Sequence, residues 1–116
     1  MAVIAIPLKD NNGMDSHVNE HFSRSPFFMI YLDSEKEHKI IENSAAFTPG
    51  HEGTIDLLKQ NDVESILCSG IGPGALDYAQ ELKMRVCFGR AKSVGELLEM
   101  NDRGELEDVI DGSPCI

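Results

Sequence analysis

In its second half the chain switches repeatedly between two hydrophobic periods. "VESILCSG" (63–70) and "MRVCFG" (84–89) are short apolar runs of strand length. Each is followed by a segment with helical spacing. Ala75, Leu76, Ala79 and Leu82 recur on one face after the first, and Val94, Leu97 and Leu98 after the second. Pro73 suits a first helical turn, where its missing N–H is no loss. Ser93 and Glu96 have the spacing of a capping box. "TIDLLKQN" (54–61) adds an earlier short helix with Ile55 and Leu58 on one face. Strands that alternate with helices demand parallel crossovers, each expected to be right-handed.

The first half reads differently. "AVIAIPL" (2–8) is a strand rich in β-branched residues, and "KDNNGMDS" after it is a loop. "FFMIYLD" (27–33) and "HKIIENS" (38–44) are strands joined by the polar turn "SEKE", hence an antiparallel hairpin. The expected architecture is a single α/β domain spanning 1–116. Its core is a mixed five-stranded sheet flanked by helices. A chain of 116 residues suffices for one such core. No internal repeat, low-complexity tract or dividing linker is visible.

Charge and cysteine content narrow the function classes. The formal net charge is −10, which argues against a nucleic-acid partner, since phosphate contacts supply most of that affinity. The distribution is uneven. Lys83, Arg85, Arg90 and Lys92 occur without an acid between 83 and 92, whereas 96–111 holds seven acids and one arginine. A local positive site on an acidic body is one reading; the bland one, usual for charge runs, is that both are solvated faces. No apolar stretch approaches the ~20 residues of a membrane helix. "MAVIAIPL" lacks the flanks of a signal peptide, so a cytoplasmic protein is expected. Cys68 and Cys87 fall in apolar runs, where a thiol behaves as a small hydrophobe. Cys115 lies in the tail "GSPCI" and is expected to be exposed. The odd count and the absence of a Cys-x-x-Cys pair make a disulfide framework unexpected.

Chemistry concentrates in "HVNEHFSRSPFF" (17–28). "HVNEH" fits the H-x-x-E-H zinc protease pattern, which needs both histidines on one helix face with the glutamate activating water. Gly13 upstream and Pro26 downstream oppose such a helix. "GIGPGA" (70–75) sits between a strand and a helix, where free N–H groups and the helix dipole favour an anion. It lacks both the dinucleotide fingerprint and a P-loop lysine. The bland alternative is a tight turn of small residues. His51 in "PGHEG" matters only if it converges on the same crevice. His38, on an edge strand, receives no role.

Taken together, "AVIAIPL", "HFSRSPFFMIYLD" and "VESILCSGIGPGALDYAQELKMRVCFG" resemble the dinitrogenase iron–molybdenum cofactor family, over nearly the whole chain. The resemblance implies a ribonuclease H-like motif. It also implies binding or carriage of a metal–sulfur cluster containing molybdenum, iron or both. The family's His-Phe-Gly segment falls on His21, Phe22 and Ser23, with serine in place of glycine. His21 is then the metal ligand, or a contact to the cluster. Arg24 and Ser25 donate to its anionic periphery, Ser23 belongs to the same loop, and Gly70, Gly72 and Gly74 offer backbone N–H groups. His51 is a further donor. Phe22 and Phe27 are core anchors, and His17 is solvent-exposed. The implied partners are the cluster and a cofactor-assembly or acceptor protein. A non-catalytic carrier is thus expected. The alternatives are a regulatory or scaffold protein without a cluster and, further behind, a metal-dependent hydrolase, which needs clustered carboxylates.

Overall fold

A computed structural model describes residues 3–47, 49–110, 112–113 and 115. Ala2 of the first expected strand, Thr48, Asp111 of the acidic run, and Pro114 and Ile116 of the tail lie outside that set. The strands are β1 (Val3–Leu8), β2 (Phe27–Leu32), β3 (Glu37–Glu42), β4 (Ser65–Cys68), β5 (Arg85–Phe88) and β6 (Glu107–Asp108). The helices are α1 (Glu52–Gln60), α2 (Pro73–Glu81) and α3 (Val94–Asp102). The sheet order is β3-β2-β1-β4-β5-β6. β1, β4 and β5 are parallel, and β2, β3 and β6 pair antiparallel to their neighbours.

The alternation in β1 sets the two layers. Ile4, Ile6 and Leu8 project into one cluster with Val94, Leu97 and Leu98 of α3. Ala5 projects into the other, with Ile55 and Leu58 of α1 and Ala75 and Ala79 of α2. The sheet is therefore covered on both faces, and β1, β4 and β5 read as nearly continuous apolar runs for that reason. Full burial of a side chain such as Ile55 or Leu58 contributes roughly 1.5–3 kcal/mol. At α3 the serine of the expected capping box forms its bond: Ser93 Oγ accepts from the Glu96 N–H at 3.2 Å.

Two expectations are corrected. The sheet has six strands, not five. After α3 the chain turns back, and Glu107 and Asp108 pair with Phe88 and Cys87. Cys115 is buried, not exposed, and forms a disulfide with Cys87 across 6.3 Å between Cα atoms. The tail clasps the sheet edge: Leu106 and Cys115 enter the α3-side cluster, while Val109 packs on the opposite one. Cys87 is an apolar core residue as expected, but it also anchors this return.

Candidate functional site at the carboxyl end of the parallel strands

β1, β4 and β5 finish at the same end of the sheet. Because Leu8 pairs with Phe27 and Phe27 with Glu42, β2 begins and β3 ends there too. The loops 9–26, 43–51, 69–72 and 89–93 are thereby gathered on one rim. In parallel sheets this is where ligands bind, at the point where successive connections leave in opposite directions. Here that point is between β1, which connects towards β2, and β4, which connects towards β5.

The long loop 9–26 crosses this point as an extended strap. The Lys9 N–H donates to the His17 carbonyl and the Asn19 N–H to the Pro7 carbonyl, each at 2.9 Å. On the other side the Val18 N–H donates to the Lys92 carbonyl at 2.9 Å, and the Val94 N–H to the Ser16 carbonyl at 3.0 Å. "HVNEH" is therefore not helical. His17 is held apart by Asp10, whose carboxylate accepts from its Nδ1 at 2.8 Å. That bond holds the Asp10 carboxyl below its usual range. The zinc protease reading fails on this geometry, because it requires the two histidines to share a helix face. Among the described residues no three His, Cys, Asp or Glu side chains gather to hold a metal ion.

Within the same loop, Phe22–Arg24 form a single 3-10 turn. Phe22 is buried and meets Phe28 edge-to-face at 5.3 Å between ring centroids, as an anchor should. Phe27 packs on the other cluster. Ser23, inside the 3-10 turn, does not need the positive φ that only glycine reaches freely, so serine fits. A buried polar strut fixes this turn. The Asn43 Nδ2 donates to the Ser25 carbonyl at 2.9 Å and to Thr54 Oγ1 at 3.2 Å, and Thr54 Oγ1 donates to the Ser23 carbonyl at 2.9 Å. The Ser25 side chain belongs to the same scaffold. Fully buried, its hydroxyl accepts from Asn19 Nδ2 and donates to the His21 carbonyl, both at 3.1 Å. Ser25 thus shapes the loop, while His21 and Arg24 are left exposed on it. The Arg24 guanidinium makes no hydrogen bond or ion pair among the described residues.

The glycine turn lies against the strap. A Cβ on Gly70 would stand 2.9 Å from the Glu20 carbonyl oxygen, so the close approach excludes any side chain. Gly72 faces open space and precedes α2, with Pro73 at its first position. At Gly74 a Cβ would meet the His51 imidazole, 2.8 Å from its Cε1. The loop ahead of α1 and the first turn of α2 are therefore in contact, with His51 also tilted over Tyr78 at 6.0 Å. Convergence of His51 with the glycine turn, the condition for its relevance, is met. His21, Ser23, Arg24, His51, Gly70, Gly72 and Gly74 all lie on one rim, with Ser25 beneath it.

Beside this rim opens a cleft of about 660 Å³ lined by Glu20, Ser69, Phe88, Arg90, Lys92 and Glu96. Two of its lining residues, Glu20 and Ser69, directly precede His21 and Gly70. Sequence reasoning took Arg90 and Lys92 for part of a solvated run with Lys83 and Arg85. The structure divides that run: Lys83 and Arg85 lie at the start of β5 and Arg90 and Lys92 beyond its end, at opposite ends of the sheet. Arg85 is engaged by Asp108 at 3.1 Å. The usable signal was position, since Arg90 follows a buried parallel strand just as the glycine turn follows β4.

Thiolates contribute little here. Cys68, at the end of β4, is buried, and burial pushes its thiol up to about 11. Cys87 and Cys115 are joined to each other. The donors the rim offers are an exposed imidazole, guanidinium and ammonium groups, and backbone N–H groups.

A model of the dinitrogenase iron–molybdenum cofactor family matches residues 2–104. The chain belongs to that family. Among solved structures, a NifB-like protein from Thermotoga is 25% identical, with 94% of each chain covered and a TM-score of 0.82. The apo form of the orange protein from Desulfovibrio gigas superposes with a TM-score of 0.85 at 19% identity, covering 98% of this chain and 96% of that one. A dinitrogenase-like protein from Methanocaldococcus jannaschii gives 0.63 at 21% identity, over 95% and 97%. The last two show the shared fold alone. No curated protein matches the chain. The family match stops at 104, so the tail that supplies β6 and Cys115 lies beyond it.

Proposed function

We propose that this family member is a non-catalytic binding or carrier protein for an anionic metal–sulfur cluster. The cluster is iron–molybdenum cofactor, its precursor or another molybdenum-containing sulfide cluster. The observation that supports the reading is that His51 meets the glycine turn at Gly74, while the Glu20 carbonyl, next to the exposed His21, meets it at Gly70. These residues and Arg24 supply imidazole, a guanidinium without a partner among the described residues and backbone N–H groups, a set suited to a soft metal with an anionic sulfide shell. A single strong metal donor, His21, with hydrogen bonds around it, suits cargo that must be released to an assembly or acceptor protein. In this reading the protein works in the cytoplasm, where cellular thiols act on the Cys87–Cys115 pair.

The test is anaerobic titration with tetrathiomolybdate, alone and with iron, followed by visible absorption and metal analysis. Stoichiometric uptake that weakens in a folded His21→Ala variant supports the reading. Failure to take up either form favours the scaffold alternative, in which the acidic α3 and the tail meet a protein partner. A hydrolase has less support, because it needs several carboxylates around one metal ion.

A further inference from the structure

We infer that the cleft beyond Glu20 is a binding site for a polyatomic anion and that Arg90 and Lys92 recognise its charge. Among the described residues three of the ten lysines and arginines are ion-paired. Arg85, Arg103 and Lys36 each hold a carboxylate within 4 Å. Arg90 and Lys92 are exposed and make no ion pair among the described residues, although Glu20 and Glu96 line the same cleft. Their positions are fixed from below. The Lys92 carbonyl accepts from Val18, and Ser69 Oγ donates to the Gly89 carbonyl at 2.7 Å, which ties the ends of β4 and β5 together. The two cations are therefore mounted on a braced loop at the carboxyl end of a parallel strand.

Size and charge together define the ligand class. About 660 Å³ is far more than a single hydrated oxoanion fills and lies within the range of small-molecule sites. Phe88 supplies an apolar contact between the charged walls. Guanidinium and ammonium groups donate to oxygen or sulfur acceptors, with the guanidinium able to engage two at once. The matching ligand is a polyanion with several peripheral acceptors, either a thiometallate or an oxoanion ester. Glu20 and Glu96 oppose it and set an upper limit on affinity. Removing either charge is therefore expected to tighten binding, and removing the cations to weaken it.

The inference deepens the cluster reading and rests on it only for the identity of the ligand. It is tested by amide NMR titration of the whole chain at low salt, with tetrathiomolybdate and, separately, inorganic phosphate. The expected result is shift changes at Ser69, Arg90 and Lys92. Affinity should fall about tenfold in Arg90→Gln/Lys92→Gln and rise a few-fold in Glu96→Gln. All three positions are on the surface, and Glu96→Gln keeps the backbone N–H that Ser93 caps, so the variants should fold. Tetrathiomolybdate binding that shifts only His21 and Gly70–Gly74, unchanged in the double variant, overturns the inference and leaves the cluster reading intact. Phosphate binding at Arg90 and Lys92 without any thiometallate uptake supports the anion site and overturns the cluster reading. No shift with either probe overturns the inference.

Discussion

The imidazole of His51 occupies the space that a side chain on Gly74 would need, with Cε1 2.8 Å from the missing β-carbon. Gly74 is in the first turn of α2, where alanine would otherwise favour the helix by up to ~1 kcal/mol. Overpacking against the ring costs roughly 1–3 kcal/mol unless the ring moves. Gly74→Ala should therefore gain little or lose stability in the native protein, yet stabilise a His51→Ala background. The expected coupling in a urea-denaturation double-mutant cycle is about 1 kcal/mol. Simple additivity would show that the ring moves away freely.

Asn43 decides the shape of the His21 turn from the far side of the sheet edge. Its side chain is buried and satisfies the Ser25 carbonyl and Thr54 Oγ1, while Oδ1 accepts from the Ala45 N–H at 3.1 Å. Asn43→Ala removes the donor to the Ser25 carbonyl in a buried setting, at about 1–3 kcal/mol, and leaves Thr54 Oγ1 only its bond to the Ser23 carbonyl. A fall in Tm of roughly 10 °C is expected by calorimetry. Faster hydrogen exchange should be confined to residues 21–25 and 43–46. A uniform rise in exchange would mean that Asn43 serves the whole domain and not this loop.

The Cys87–Cys115 bond closes a loop with a sequence separation of 28. Chain-entropy reasoning gives such a cross-link roughly 3–4 kcal/mol of stability. Reduction by excess dithiothreitol, or Cys115→Ser, should lower stability by up to that amount. It should also release β6 first, since among the described residues the tail is held to β5 by a two-residue ladder, the Val109 N–H to the Val86 carbonyl and the Arg85–Asp108 ion pair. Exchange at Leu106–Asp108 should rise while the His21 turn stays protected. Unchanged tail exchange after reduction would show that the buried Leu106, packed against Gly89, holds the tail without the disulfide.

What the sequence made legible follows from the range of the interactions. β1 through β5 and the three helices are written in local periods, so Ile55 and Leu58, and Val94, Leu97 and Leu98, could each be assigned to one helix face. The glycine turn and His51 were visible because a small-residue break before a helix is a local signal. β6 was not, because its "ED" has no hydrophobic period and pairs only after the tail returns. The strut from Thr54 to Ser23 joins residues 31 apart, and no short pattern encodes it. The basic run misled for a related reason. A four-residue strand spans roughly 13 Å, enough to put two cations at each end of the sheet.

Cys68 offers a pH-dependent test of the core beneath the glycine turn. Burial raises its thiol from 9.0 to about 11, with the Gly70 N–H opposing only weakly. The folded protein therefore holds this proton more tightly than the unfolded chain does. Stability from this group is fully present below pH 9 and is lost as the pH rises towards 11. The slope should approach about 1.4 kcal/mol per pH unit within that window. At pH 8 the native, unreduced protein should resist iodoacetamide, since the thiolate is the nucleophile. Denaturation without reductant should release one reactive thiol, and denaturation with reductant three. Cys68→Ala should flatten the slope between pH 9 and 11 relative to the parent. Rapid alkylation of the native protein at pH 8 would show that the end of β4 opens to solvent and that the rim above it is not rigid.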